Sequence, residues 1–190
     1  FNQDLSNWDV SNVTNMHATF SYATSFNGDL STWDVSSVTD MAAMFSGIIQ
    51  YNQNLSSWDV ANVVDMNYMF KDAQNFNQDL SSWDVSSVTN MSRMFHNASS
   101  FNQDIGDWNV ANVQNMSRMF HNASSFNQDI SGWDVSSATN IEDMFDNANA
   151  LSDGNKCVIH ASFQSNDAWP YDWSDLCYQF ETRDELVTAV

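Results

Sequence analysis

A ten-residue string, FNQDLSNWDV, opens at Phe1 and returns in recognisable form at Phe26, Tyr51, Phe76, Phe101 and Phe126, a period of 25 with no insertion. Trp holds the eighth position of every copy (Trp8, Trp33, Trp58, Trp83, Trp108, Trp133) and Phe the twentieth (Phe20, Phe45, Phe70, Phe95, Phe120, Phe145), so six copies fill residues 1–150. A 25-residue unit cannot bury its apolar face alone. The units must therefore stack and share one continuous core.

Apolar residues recur at positions 1, 5, 8, 10, 13, 16, 19, 20 and 23 of a copy, and their spacing changes along it. In the fourth copy Trp83 and Val85 flank Asp84, the period of two expected of a short strand with one buried face. Val88, Met91, Phe95 and Ala98 then fall on one face of a predicted helix of about two to three turns, with Ser86 or Ser87 as its N-cap. The spacing predicts an α/β repeat solenoid, with one short parallel strand and one short helix per coil. Strands about 4.8 Å apart would make six coils a rod roughly 30 Å long. Trp, Val, Leu and Phe ladders would fill it, with methionines such as Met41, Met44, Met91 and Met94 as flexible filler.

Residues 151–177 break the period. They carry Phe163, Trp169, Trp173 and the chain's single proline, Pro170, and suit a C-terminal cap shielding the last core layer. The two cysteines, Cys157 and Cys177, both lie in this segment. The first reading is a disulfide that staples the cap and implies an oxidising, extracellular setting; the other is a pair of buried thiols. The chain begins at Phe1 and reads as a segment of a longer protein. Taken as it stands, it leaves its first core layer uncovered, which suggests end-to-end self-association.

Charge narrows the partners. With 24 acidic residues against 5 basic ones, the formal net charge is -19. Nucleic acid and anionic membrane surfaces are excluded as partners, because binding them needs Lys and Arg to neutralise phosphates. Cations, basic proteins or plain solubility remain. Aromatics at 14% and apolar residues at 43% argue against disorder. No apolar run approaches the roughly 18 residues of a membrane span, so no membrane insertion by this segment is expected.

The repeat also lines up carboxylates. Position 9 carries Asp9, Asp34, Asp59, Asp84 and Asp134, with Asn109 in the fifth copy; position 4 carries Asp4, Asp29, Asp79, Asp104 and Asp129, with Asn54 in the third. Stacked coils would bring like charges about 5 Å apart, and something must compensate. One reading is Ca²⁺ held between carboxylates and carbonyls. The other is that each Asp accepts backbone N–H groups of its own turn, a role Asn can share. The neighbouring Asn2, Asn27, Asn52, Asn77, Asn102 and Asn127 suit stacked side chains that satisfy loop backbone.

Copies four and five share SRMFHNASSFNQDI, which stacks Arg93 on Arg118 and His96 on His121, either as a partner-contact stripe or as a solvated duplicated face. The histidine pair lacks a Cys or third His to complete a metal set. Trp169, Tyr171 and Trp173 are candidates for a partner contact, including a glycan stacked on their rings. The Thr14, Thr39, Val64, Thr89, Gln114, Thr139 line is too broken for a flat ice-binding face. No Ser-His-Asp order, phosphate-binding Gly loop or HExxH motif is present, and an active site needs one singular constellation where this chain repeats its own. No enzymatic activity and no required cofactor are expected.

The fourth copy, FNQDLSSWDVSSVTNMSRMFHNASS, resembles the repeat of the BspA-like surface-protein family, a 25-residue relative of leucine-rich repeats. LSDGNKCVIHASFQSNDAWPYDW resembles the end of such a repeat block, and residues 178–190 the lead-in to a further one. The resemblance implies a leucine-rich-repeat-like fold, a secreted or cell-surface location, and adhesion or protein binding. The combined expectation is a non-enzymatic extracellular binding module with a protein or glycan ligand. The alternative is a structural spacer stiffened by Ca²⁺ on its carboxylate ladders.

Overall fold

The structure, a computed structural model, describes residues 1–178. The 25-residue units follow one another as coils of like conformation, each hydrogen-bonded to the next. Two tight turns shape the first half of each coil: in the fourth, Trp83 N–H donates to Leu80 C=O at 3.1 Å and Val88 N–H to Val85 C=O at 2.9 Å. They turn the apolar positions inward.

The predicted strand at Trp83–Val85 does not pair with its neighbours. The isolated parallel bridges of the stack lie at position 15 instead, linking Asn15, Asp40, Asp65, Asn90, Asn115 and Asn140 in sequence. The physical reason is local. Trp83 N–H is spent on Leu80 C=O of its own coil, and the N–H groups on either side of the run, at positions 6 and 11, are taken by the side chains at positions 4 and 9.

The predicted helix is also replaced. From position 16 onward alternate N–H groups leave the coil: Met91, Arg93, Phe95 and Asn97 donate to Asn115, Ser117, Met119 and His121 of the next, all at 2.9 Å. The intervening Met94, His96 and Ala98 donate three residues back, at 3.0–3.2 Å. An α-helix would keep every such bond inside the segment. Here the chain takes left-handed backbone at position 18 (Arg93, φ 56°) and position 22 (Asn97, φ 58°), and so on along the stack. Position 22 suits this geometry with Gly47, Asn97, Asn122 and Asn147. Position 18 does not until the last copy, whose Asp143 tolerates it: Ala18, Ala43, Tyr68, Arg93 and Arg118 are each held there by an N–H bond to the next coil. Apolar residues three and four apart point to one side in such a run of turns, as on a helix, which is why the sequence pattern reads as helical.

The core is a column of rings. Phe95 lies 3.8 Å from Phe101 within the coil step, 5.7 Å from Phe70 and 5.8 Å from Phe120, centroid to centroid, all close to parallel. Beside it the tryptophans stitch coils together. The indole N–H groups of Trp33, Trp58, Trp83, Trp108 and Trp133 donate to the carbonyls of Leu5, Leu30, Leu55, Leu80 and Ile105 at 3.0 Å each. The Asn line adds a third seam: Asn102 N–H donates to Asn77 Oδ1 at 2.9 Å and Asn127 N–H to Asn102 Oδ1 at 2.8 Å.

The seam runs into the segment after the repeats, where Ser152 N–H donates to Asn127 Oδ1 at 2.9 Å. Leu151 takes the Phe1-type place in the core, and helix α1 (Asp153–Phe163) begins with Ser152 as N-cap and buries Ile159 and Phe163. Asn166 donates to the carbonyls of Val135 and Ala138 at 2.7 and 2.9 Å, and Ser162 to that of Ser131 at 2.7 Å. Trp169, Tyr171 and Trp173 gather around Phe145. Cys157 and Cys177 are joined in a disulfide, with Cα atoms 5.0 Å apart, which ties α1 to the helical residues 174–178. Of the lead-in assigned to 178–190, residues 179–190 lie outside the described residues. No helix among the described residues is long and apolar enough to cross a membrane.

Candidate functional site

Both carboxylate lines are exposed along their whole length, and each member closes its own turn. At position 9, Oδ1 of Asp9, Asp34, Asp59, Asp84 and Asp134 accepts the N–H two residues on at 2.9–3.1 Å. Asn109 does the same at 3.3 Å, which is why Asn can stand there. At position 4, Asp4, Asp29, Asp79, Asp104 and Asp129 accept in the same way at 2.8–3.0 Å, and Asn54 at 2.9 Å.

These bonds set the electrostatics. The Ser hydroxyl first and the backbone N–H second hold Asp9, Asp34, Asp84 and Asp134 below the usual carboxylate range. For Asp4, Asp29 and Asp79 the backbone donor comes first. Repulsion by the neighbouring coil is the smallest influence on Asp29 and Asp34. Local donors thus outweigh the stacking of like charges.

A third line escaped the sequence reading. Position 15 (Asn15, Asp40, Asp65, Asn90, Asn115, Asn140) accepts the N–H two residues on at 2.8–3.1 Å, at the point where the coils bridge. Its signal was present in the sequence, since every copy has Asn or Asp there.

The line built from positions 18, 21 and 22 is less uniform. His96 and His121 stack with centroids 4.9 Å apart at 19°. Burial, then the positive charge of His121, pushes the His96 imidazole down to about 4, against a weaker upward pull from Asp72. The two arginines do not share a partner. Arg93 donates to the Tyr68 hydroxyl at 2.6 Å and lies over its ring, while Arg118 donates twice to Asp143 Oδ2 at 2.8 and 3.0 Å. Lys71 pairs with Asp72 at 2.6 Å. The Tyr171 hydroxyl accepts from Phe145 N–H at 2.8 Å and donates to Asp146 at 2.9 Å, a link between the segment after the repeats and the last coil that the period could not announce.

Trp169, Tyr171 and Trp173 are half-buried, packed on one another and on Phe145. Beside them a shallow groove of about 880 Å³ runs between the last coil and α1, lined by Ser131, Asp134, Ser136, Ser162, Asn166 and Asp167 among others.

Coils that repeat a 25-residue sequence and satisfy one another's backbone, closed by a disulfide-tied end, define a repeat protein. The chain belongs to the family described as "Mycoplasma protein of unknown function, DUF285", whose model matches residues 1–98 and again 50–157. No curated protein matches it.

Proposed function

We propose that the chain is a non-enzymatic extracellular binding or adhesion module of a surface or secreted protein, a leucine-rich-repeat-like solenoid of the BspA-like kind. The observation that carries this reading is the exposed surface itself. Two rows of outward carboxylates recur at fixed steps over six coils, a layout suited to a broad partner contacted at many equivalent points. Family membership in a repeat family and the disulfide, which persists in oxidising compartments, support the setting. The partner is a protein with a basic face, or a glycan. Nucleic acid and anionic lipid are disfavoured by the charge.

The test is surface binding with the intact protein. Basic ligand proteins and glycan arrays are scanned at two ionic strengths. Salt-sensitive binding that weakens when Asp79, Asp84 and Asp104 are changed together to Asn supports the reading; no binding above background on either panel removes it. A second reading is a spacer stiffened by Ca²⁺, favoured by the carboxylate oxygen that each turn bond leaves over. A melting temperature raised by millimolar Ca²⁺ and restored by EDTA would support it. Unchanged melting would remove it.

A further inference from the structure

The histidine column does not stop at His121. One coil further, the same position is Asp146, and Asp143 stands three residues before it. A ring nitrogen of His121 and one oxygen from each carboxylate all lie within 4.8 Å of one another.

Three features set this cluster apart from the acidic lines. Nδ1 of His121 is buried without any hydrogen-bond partner, as is Nδ1 of His96 one coil before, but among the described residues it is His121 that has two carboxylates within ligand reach, whereas the acidic lines are exposed and satisfied by their own turns. A buried nitrogen left unanswered is costly, and a bound cation answers it. Each carboxylate is held by one oxygen. Arg118 takes Oδ2 of Asp143, and the Tyr171 hydroxyl takes Oδ1 of Asp146, leaving the second oxygen of each without a hydrogen bond from these outer partners, which orient the carboxylates. Charge completes the case. Glu142 and Asp143 pair with the guanidinium of Arg118 and Asp146 lies close enough to act on it, and three negative charges against one positive leave -2 for a divalent ion to neutralise.

We propose that His121, Asp143 and Asp146 bind a divalent transition-metal ion of the zinc or manganese type, tying the last coil to the coil before it and, through Tyr171, to the segment that follows. One imidazole nitrogen and two carboxylate oxygens are a borderline donor set, which suits these ions. Calcium, which takes about six to eight oxygens, is not matched. Bonds of about 2.1 Å around a tetrahedral ion need ligand atoms about 3.4 Å apart. From within 4.8 Å of one another, the ligand atoms would reach that spacing by side-chain rotation as the ion binds, with water as the fourth ligand.

The test uses the whole chain stripped with EDTA and titrated with Zn²⁺ against a chromophoric chelator. One ion per chain at micromolar affinity or tighter is expected, with a rise in melting temperature. His121→Ala and Asp146→Asn should each weaken binding at least tenfold, while Asp107→Asn, at an exposed position outside the acidic lines, leaves it unchanged. Because either variant could also loosen the last coil, the unaltered chain supplies an independent reading: trace Mn²⁺ should broaden the ring resonances of His121 before those of His17. No binding at 100 µM Zn²⁺ overturns the site. So does equal binding by His121→Ala, or broadening that begins at His17. None of these results bears on the partner-binding reading.

Discussion

Trp8 and Trp133 hold the same position in the first and last coils, yet 62% of Trp8 is exposed and 2% of Trp133. Phe1 and Phe126 differ in the same way, at 64% and 0%. The side chains are alike, so the difference lies in what precedes them. Trp133 donates to the Ile105 carbonyl and stacks on Trp108, both in the coil before. Burial here belongs to the contact between coils and not to the coil. At the other end Phe145 is only 5% exposed, because Trp169, Tyr171 and Trp173 stand where another coil's rings would be. Stability should therefore be a sum of neighbour terms, with each coil worth little alone.

The sharpest way to break that comparison is to truncate the same residue at both places. Trp83→Ala removes a buried indole and leaves the Leu55 carbonyl without its donor, an expected loss of about 3–5 kcal/mol in urea unfolding. Trp8→Ala should cost within about 0.5 kcal/mol, the scale of a surface change. Equal losses would mean that the first coil is buried in solution by some other contact, and sedimentation at several concentrations would then show association.

Next in size is the far end. Replacing Cys157 and Cys177 by Ser opens a loop of 20 residues and should cost about 2–4 kcal/mol. The effect should be local. Limited proteolysis should cut within residues 151–178 first and leave the six coils intact for longer. Loss of all protection at once would show that the end segment and the coils unfold as one unit.

These comparisons also show what the sequence could carry. The period, the inward Trp, Val, Met and Phe positions and the end of the repeats are legible, because burial in a stack follows the repeat residue by residue. Val88, Met91, Phe95 and Ala98 are all fully buried, yet the helix predicted from their spacing is absent. Hydropathy reports which side faces the core and says nothing of where the N–H groups go. Arg93 in left-handed backbone gives no sequence sign, since nothing in its chemistry favours that conformation. The acidic lines were legible as lines, and their turn-closing role was one of two readings left open. Asp143, Asp146 and Tyr171 were not legible as a group. They meet only where the period ends, and a repeat reveals what recurs.

A smaller effect separates turn closure from charge. Asp84→Ala should cost about 0.5–1 kcal/mol, the net worth of one hydrogen bond, whereas Asp84→Asn should be nearly neutral, as Asn109 is one coil on. Thermal unfolding of the two variants side by side reads the difference. If Asp84→Asn were clearly stabilising, repulsion along the line would outweigh the turn bonds.

The least effect, and the one that tests the whole line, is with pH. Asp4, Asp9, Asp29, Asp34, Asp79, Asp84 and Asp134 are held below the usual carboxylate range in the folded chain. A depressed carboxylate contributes stability above its unfolded value, about 3.9, and that contribution is lost as pH falls through the folded values. Melting temperature should thus hold steady from neutral pH to about 4 and fall below it. Relief of the -19 net charge acts in the other direction, since protonation reduces self-repulsion. The two are separable, because changing Asp9, Asp34, Asp84 and Asp134 together to Asn keeps the turn acceptors and removes the titration. If turn bonds dominate, that variant loses part of its acid limb and melts near the unaltered chain at pH 7. If repulsion dominates, it melts higher at pH 7, and the unaltered chain gains stability as pH falls towards 4.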